Sequence, residues 1–224
     1  MPVRTKSFQE LYRDIFARLG HPIKERDGVS EGQIVTAEKK MGIQLPVALR
    51  DYYLVAGRER KLNTAFNRLL APDELELHSR KVVFMEENQA VVAWATTVSP
   101  SSTDPSVFQG PVVDGELDHW FRESNTCSGF LVFMLHLQAA YGGGMPYCAS
   151  TSVAPKFAKS LDKSWNFAGD VNGMRAYSRN GQAICITKWK DFFSKGETFR
   201  ISAGACSKKE LDSLASSLGV EWEK

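Results

Sequence analysis

The chain has 224 residues, of which 43% are hydrophobic and 24% charged, a composition typical of globular proteins that argues against disorder. Its formal net charge of +2 is too small to indicate nucleic-acid binding. Its 4 cysteines are too widely spaced for a zinc-knuckle pattern or a dense disulfide framework.

Two helices are predicted at the start of the chain. Ser7, with a glutamate three residues later, forms a capping box that begins the first helix. Apolar residues then recur at three- and four-residue steps up to Gly20, which predicts a helix docked by one face. Ser30, with a glutamine three residues later, marks a second helix that ends at Gly42.

A third helix is predicted after a short extended link. Pro46 suits the first position of a helix because its fixed φ is already helical. Tyr52 and Tyr53 would lie on the inward face of this helix, and Gly57 would end it. The charged run Arg58–Lys61 that follows is expected to be a loop.

Strands are predicted in the next segment. Lys81–Phe84 and Ala90–Thr97 are rich in β-branched and aromatic residues, and the polar residues between them predict a turn. The two strands are therefore expected to form an antiparallel hairpin. Ser99–Gly115 is rich in Pro, Ser, Asp and Gly and is expected to be mostly loop.

A strongly apolar helix is predicted over residues 129–141, with Ser128 as its cap. The helix is apolar on nearly every side, which is typical of a helix buried between two layers. Gly142–Gly144 end it and indicate a joint near residues 142–150. Because such a helix needs cover from both sides, we expect one domain over residues 1–224.

The C-terminal part returns to strands and closes with a helix. Gly173–Tyr177, Ala183–Lys188 and Thr198–Ala203 alternate as strands do, and Ser207 with Glu210 forms a capping box for the last helix. The order of elements predicts an α+β fold in which a mainly antiparallel sheet packs against helices.

The sequence also bears on localisation. Residues 1–9 lack the apolar stretch of a secretory signal. The longest apolar run, Phe130–Leu135, is far shorter than the about 20 residues that cross a bilayer. We expect a cytoplasmic protein that does not bind membranes.

No motif in the sequence requires an enzyme. The 4 histidines lie in separate segments, and none is spaced to share a metal with another on one helix face. His136 lies in the apolar helix, which favours a core histidine over a general base. Gly142–Gly144 follow a helix and lack the Lys-Ser or Lys-Thr of a phosphate loop. We therefore expect no catalytic, cofactor-binding or metal-binding residues.

Cys148 leaves one alternative open. An accessible thiol at this position could form a catalytic site with a histidine from a distant segment. However, no basic residue lies near Cys148 in sequence to lower the thiol pKa, so the sequence favours a small buried residue.

The charges are unevenly distributed along the chain. Residues 1–72 carry 13 basic and 8 acidic side chains, a net charge of +5, and residues 124–224 carry 12 and 8, a net charge of +4. Residues 73–123 carry 3 basic and 10 acidic side chains, a net charge of −7. If these acidic residues share one face, they would accelerate encounter with a basic partner. The alternative is a set of acidic loops scattered over the surface.

The densest acidic cluster lies at Asp114, Glu116 and Asp118. The cluster lacks the glycine and the final carboxylate that a calcium loop requires, so an exposed acidic turn is expected. Trp120 follows it and could either anchor a partner or fill the core, because large aromatic residues serve both purposes. We predict that Asp114, Glu116, Asp118 and Trp120 bind a protein partner.

An ordered set of positions runs from the second helix to the acidic turn: Ile34, Glu38, Gly42-Ile43-Gln44-Leu45-Pro46, Leu49, Tyr52, Tyr53, Gly57, Val83-Phe84, Glu87-Asn88-Gln89, Trp94, Asp104-Pro105, Val107 and Trp120. Together these positions resemble the SUKH superfamily, which is named for fungal cell-wall regulators and related bacterial proteins. The resemblance covers residues 8–140, and the apolar helix from Phe130 fits the family's order of elements. The usual glycine-rich or acidic turn after the third helix is replaced here by Arg58–Lys61.

The resemblance implies a SUKH-like fold and a function in protein binding, and it carries over no catalytic residue. Bacterial members of this kind include immunity proteins that neutralise toxins. We therefore expect a non-catalytic immunity protein whose partner is a basic toxin domain. Two alternatives remain: a Smi/Knr-like regulatory or signalling adaptor without a toxin partner, and an enzyme with a site around Cys148.

Overall fold

The computed structural model describes residues 6–154, 157, 161, 164–189 and 198–223. In these residues the chain forms six α-helices and two antiparallel sheets, which confirms the predicted α+β class. The helices are α1 (Phe8–Arg18), α2 (Glu31–Met41), α3 (Val47–Ala56), α4 (Arg60–Asn63), α5 (Cys127–Ala140) and α6 (Lys208–Leu218). Two short 3-10 helices, Glu25–Asp27 and Pro72–Glu74, lie in the connections.

The first sheet contains seven strands, in the order β1-β3-β4-β5-β6, with β2 paired to β3 and β7 paired to β5. These strands are β1 (Arg68–Leu69), β2 (Glu76–His78), β3 (Lys81–Glu86), β4 (Val92–Thr97), β5 (Val107–Val113), β6 (Glu116–Leu117) and β7 (Phe121–Ser124). The predicted hairpin is confirmed as the β3–β4 pair.

The second sheet contains five strands in the order β8-β12-β11-β10-β9. They are β8 (Tyr147–Val153), β9 (Asn166–Val171), β10 (Met174–Arg179), β11 (Gln182–Trp189) and β12 (Thr198–Ala205). The three strands predicted from the sequence are confirmed as β10, β11 and β12, whereas β8 and β9 carry no strong strand pattern.

Three helix starts predicted from capping signals, at Ser7, Ser30 and Ser207, are confirmed. Ser7 and Ser30 each form a capping box, in which the serine hydroxyl and the side chain at the third helical position satisfy free N–H groups. The Ser207 hydroxyl accepts a hydrogen bond from the Glu210 N–H at 3.2 Å and begins α6. Gly42 ends α2 with a left-handed φ of 67°.

Helix α5 lies between the two sheets, as its uniformly apolar surface predicts. All of its residues except Gly129 are buried. Phe130 packs against Phe84 and Trp94 of the first sheet, with ring centroids 5.8 Å apart in each case. On the other side, α5 packs against β9, β10, β11 and β12. The helix is therefore covered by one sheet on each side.

Two buried tyrosines, Tyr52 and Tyr53, fasten α3 to its neighbours. The Tyr52 hydroxyl donates to the Asn63 side-chain oxygen at 2.6 Å, which ties α3 to α4. The Tyr53 hydroxyl donates to the Leu70 carbonyl at 2.7 Å, next to β1. Both phenols are buried, and these bonds satisfy polar groups that would otherwise lose their water partners.

The predicted cap of α5 is wrong by two residues. The helix begins at Cys127, because the Thr126 hydroxyl accepts a hydrogen bond from the Gly129 N–H at 3.2 Å. Ser128 instead lies in the first turn, where its N–H and hydroxyl donate to Asp104. Thr126 and Ser128 are both residue types that favour the cap position, and the backbone geometry selects Thr126.

The loop predicted for Arg58–Lys61 is partly wrong, because Arg60 and Lys61 lie in the single-turn helix α4. The Glu59 carboxylate caps this helix by accepting the N–H groups of Lys61 and Leu62 at 3.2 and 2.8 Å. The charged run therefore contains a capping residue, Glu59, which its charge pattern alone does not indicate.

The loop predicted for Ser99–Gly115 is also partly wrong, because it contains β5. Gly110 and Pro111 in this strand disfavour β structure by composition. Gly110 is nevertheless suited to its position: a Cβ there would lie 3.0 Å from the ring of Trp120, which packs on the strand. Because Trp120 lies outside β5, the residues of β5 alone do not indicate that a glycine is needed at position 110.

Candidate protein-binding surface

The predicted acidic cluster lies on an exposed hairpin formed by β5 and β6. Val113 pairs with Glu116, and the two residues between them, Asp114 and Gly115, have φ angles of 52° and 82°. A two-residue turn with two positive φ angles is favoured in hairpins because its twist matches that of the strands. The Asp-Gly pair thus places the carboxylates of Asp114 and Glu116 at a tip exposed to solvent.

Asp118 extends the acidic surface along the same segment. Its carboxylate is exposed and accepts a hydrogen bond from Nδ1 of His119 at 2.6 Å. The His119 ring in turn packs edge-on against Phe121, which is 56% exposed, with centroids 4.4 Å apart. The structure therefore places Asp114, Glu116 and Asp118 on one exposed segment, which Val113 and Phe121 flank with exposed apolar side chains.

Trp120 occupies a different environment from the three carboxylates. Its half-buried ring covers Gly110, and Lys81 lies over the ring at 5.8 Å from the centroid. Its indole N–H is buried and finds no acceptor among the described residues. These contacts place Trp120 at the base of the hairpin, where it supports the outer face of the first sheet.

The remaining tryptophans do not form a platform with Trp120 in the described part of the chain. Trp94 and Trp165 are each only 6% exposed and belong to the core. Trp222 is half-buried, and its indole N–H donates to the Leu211 carbonyl at 3.3 Å. The side chain of Trp189 lies outside the described residues.

Much of the acidic charge between residues 73 and 123 is used within the fold. Arg68 bridges two carboxylates, with Nη1 at 2.7 Å from Glu74 and Nε at 2.6 Å from Glu86. Asp104 accepts hydrogen bonds from Ser128. The exposed acidic residues outside these interactions are Asp73, Glu76, Asp114, Glu116 and Asp118. The acidic segment is therefore not one continuous face, and its free charge is concentrated at the hairpin.

Glu123 is a buried carboxylate that joins the two sheets. Its side chain accepts a hydrogen bond from Nδ2 of Asn172, in the turn between β9 and β10. Burial raises the pKa of Glu123. Sequence reasoning counted Glu123 as surface charge, and only its burial shows that it is structural.

His136 is a core histidine, as the sequence predicts. It is only 1% exposed, its Nδ1 donates to the Val132 carbonyl at 2.7 Å, and its Nε2 accepts from the Ser178 hydroxyl at 3.0 Å. Burial lowers the pKa of His136 to about 4, so the ring is neutral at pH 7. The two ring nitrogens therefore bond to the preceding turn of α5 and to β10.

The prediction that Cys148 is buried is wrong. The thiol is exposed near the start of β8, whereas Thr151 and Val153 further along the same strand are buried. Its sulfur lies near Gly142, where a Cβ would be 3.4 Å away. Within the described residues, no hydrogen bond joins Cys148 to a histidine, and no three His, Cys, Asp or Glu side chains are grouped to hold a metal ion.

A basic groove that the sequence did not indicate lies between α4 and the glycines after α5. It has a volume of about 500 Å³ and is lined by Arg60, Lys61, Thr64, Ala65, Tyr141, Gly142, Gly144 and Pro146. The signal was present in the run Arg58–Lys61, but nothing in the sequence places that run against residues 80 positions later. The groove is a charged surface distinct from the acidic hairpin.

None of the described helices has both the length and the apolar character needed to cross a membrane. Comparisons of the chain with protein-family models, with curated proteins and with solved structures gave no match.

Proposed function

We propose that this chain is a non-catalytic protein-binding module that docks to a basic surface of another protein through its acidic β5–β6 hairpin. The observation that carries the proposal is the set of three exposed carboxylates, Asp114, Glu116 and Asp118, at the turn of the β5–β6 hairpin, in its second strand and just after it. Glu74 and Glu86 of the same segment pair with Arg68, and Asp104 binds Ser128. The three hairpin carboxylates are exposed to solvent, as are Asp73 and Glu76 away from the hairpin.

The hairpin also offers apolar surface for docking. Val113 and Phe121 are 54% and 56% exposed and lie beside the carboxylates. Exposed ion pairs contribute only about 0–1 kcal/mol each, so charge alone gives fast and selective encounter, and apolar burial must supply much of the affinity. A partner of this kind is a basic protein domain with an apolar contact, and its binding is weakened by salt.

The more specific proposal is an immunity protein that neutralises a basic toxin domain in the cytoplasm. Its support is the SUKH-like pattern of residues 8–140, together with the acidic hairpin that suits a basic toxin. The alternative is a regulatory or signalling adaptor, which shares the binding surface but has no toxin partner. The two differ in the identity of the partner, so an assay of toxicity separates them.

The decisive test uses the protein encoded by the gene beside this one. That protein is expressed in a bacterial host alone and together with this chain, and survival is measured. We expect the neighbouring protein to be toxic and this chain to restore survival. We expect the double variant Glu116→Lys/Asp118→Lys to bind the toxin at least ten-fold more weakly at 50 mM salt and to protect poorly.

The matched control is Asp73→Lys/Glu76→Lys, which changes the net charge equally at two exposed positions away from the hairpin. This control should protect as well as the native chain. Equal protection by both double variants would refute docking through the hairpin. Binding to a neighbouring protein that is not toxic would favour the adaptor.

A further inference from the structure

The basic groove is held in place by close packing of two distant segments. Gly143 lies against α4, where a Cβ would approach the Lys61 carbonyl to 2.9 Å and the Ala65 side chain to 2.8 Å. The ring of Tyr141 stacks on Phe66 with centroids 4.6 Å apart. The groove therefore has a defined wall, and Tyr141, which is 38% exposed, provides its apolar surface.

The cations of the groove face solvent. Arg60 and Lys61 are exposed, and their side chains make no hydrogen bond or ion pair with the described residues. The neighbouring Glu59 is engaged in capping α4. Arg58 adjoins them, and its N–H donates to the Asp27 carbonyl at 2.8 Å, which brings the 3-10 helix Glu25–Asp27 alongside.

The neighbouring 3-10 helix adds no net charge to this surface. Lys24 and Arg26 are exposed, but so is Glu25, and the Asp27 carboxylate accepts the Lys24 N–H at 2.8 Å.

The positive charge that lines the groove is that of Arg60 and Lys61. The Arg58 guanidinium is engaged by the Gln33 side-chain oxygen, to which it donates at 2.5 Å. The groove is thus suited to an occupant that carries carboxylates and an apolar side chain.

The acidic hairpin of this chain has those features but lies at the opposite edge of the same sheet. The groove adjoins residue 66, just before β1, whereas the hairpin ends in β6. Strands β1 and β6 occupy the two ends of the order β1-β3-β4-β5-β6, so four strand spacings, about 19 Å, separate them. The hairpin of one chain therefore does not reach its own groove.

We propose that the groove receives the β5–β6 hairpin of a second copy of this chain. The carboxylates of Glu116 and Asp118 then face Arg60 and Lys61, and exposed Val113 packs on the Tyr141 ring. This contact joins two different surfaces of the chain. Copies therefore add head to tail, unless two copies related by a two-fold axis make the contact twice and form a closed dimer. Self-association covers the hairpin and competes with a basic protein partner for it.

Because its charged groups are exposed, the contact is weak and salt-dependent. The proposal uses the same hairpin as the proposed function but does not depend on that partner. It predicts that the native chain associates at 50 mM salt with increasing concentration and dissociates at 500 mM salt. Sedimentation equilibrium of the full chain measures both.

Charge reversal on each surface tests the geometry. The groove variant Arg60→Glu/Lys61→Glu and the hairpin variant Glu116→Lys/Asp118→Lys should each associate at least ten-fold more weakly than the native chain. An equimolar mixture of the two variants should associate again, because the acidic hairpin of one meets the basic groove of the other, and the reverse contact is also complementary. The control Asp73→Lys/Glu76→Lys should behave as the native chain does.

The proposal fails if the native chain stays monomeric at 50 mM salt up to millimolar concentration, or if the mixed variants do not recover association. Circular dichroism and thermal melting of each variant show whether it is folded. The groove variant keeps the native hairpin, so a folded groove variant should still bind the basic partner while its self-association is weakened. This combination of results distinguishes self-association from the proposed function. Failure of the proposed function would leave the self-association results unchanged.

Discussion

The carboxylate of Asp104 accepts hydrogen bonds from both the N–H and the hydroxyl of Ser128, at 2.8 and 2.5 Å, across 24 residues of sequence. Ser128 lies in the first turn of the buried helix α5. The contact therefore places a negative charge at the N-terminus of the helix, where the backbone dipole favours it. It also ties the loop before β5 to the centre of the fold.

Replacing this carboxylate should destabilise the protein. We expect Asp104→Ala to lower the free energy of unfolding by about 1.5–3 kcal/mol, because two hydrogen bonds to a charged group are lost. Asp104→Asn keeps acceptor capacity and should cost less. Urea unfolding measures the difference, and Asp73→Ala is the exposed control with a change within about 0.5 kcal/mol. Equal stability of Asp104→Ala and the control would contradict the assignment.

The buried His136 should make the fold sensitive to acid. Its folded pKa of about 4 lies below the unfolded value near 6.5, so the fold favours the neutral ring. This contribution is complete above pH 6.5, declines as the pH falls and is lost below pH 4, with a total of roughly 3 kcal/mol. Glu123, whose pKa is raised, acts with the opposite sign.

The variant His136→Gln isolates the histidine contribution from that of Glu123. It should be less stable than the native chain at pH 7, because the substitution removes a buried ring that makes two hydrogen bonds. The difference between the two proteins should shrink by about 2 kcal/mol between pH 7 and pH 4.5. Urea unfolding at both pH values measures this difference in stability. A difference that does not change with pH would show that the pKa of His136 is the same in the folded and unfolded states.

The contact between α5 and the second sheet should tolerate no added atom at Gly204. A Cβ there would lie 2.1 Å from the Ala139 carbonyl oxygen, so β12 and α5 would have to separate. We expect Gly204→Ala to destabilise the protein by about 3 kcal/mol or more. Gly32→Ala, at an open position in α2, is the matched control and should raise stability by up to about 1 kcal/mol. Thermal melting measures both.

Trp120 should contribute to stability more than a purely partner-binding residue does. Removing its half-buried ring exposes Gly110 and its surroundings, so Trp120→Ala should cost about 2 kcal/mol. Trp120→Phe should cost less, because the indole N–H has no acceptor within the described chain. Phe121→Ala, at the exposed neighbour, is expected to change stability by no more than about 0.5 kcal/mol. If Trp120→Ala were as stable as the native chain, its role would be partner binding alone.

The four thiols should fall into two classes. Cys148 and Cys206 are exposed, whereas Cys127 and Cys185 are buried, and burial raises the pKa of Cys185 to about 12. Titration with a thiol reagent at pH 7 should therefore label two cysteines in the native state and four in urea. Stoichiometric labelling of Cys148 much faster than Cys206 would instead indicate an activated thiol and favour the enzyme alternative.

The helices could be predicted well because their signals are local. Ser7, Ser30 and Ser207 each act on N–H groups within three residues, so the sequence places these starts correctly. Thr126 and Ser128 show the limit of this reasoning, since both residues can cap and only one has the required backbone angles. Strand β5 could not be predicted, because Gly110 suits its position only when Trp120 packs on it.

The exposed position of the acidic turn could be predicted from the sequence. The Asp-Gly pair at residues 114–115 is a strong hairpin signal, and the structure places Asp114 and Glu116 at an exposed tip. The sequence could not show that Glu123 is buried or that Arg68 pairs with two carboxylates, because these contacts join residues from different strands. The groove at Arg60 and Lys61 was hidden for the same reason.

The sequence by itself determined the α+β class, most helix boundaries and the buried position of α5, because capping and periodicity act within a few residues of one another. Only the tertiary structure decided which charges remain free, which thiols are exposed and where the acidic hairpin and the basic groove lie. Whether a charge is paired and whether a side chain is accessible depend on neighbours that folding brings together. The order of residues along the chain does not give the distances in space between such neighbours.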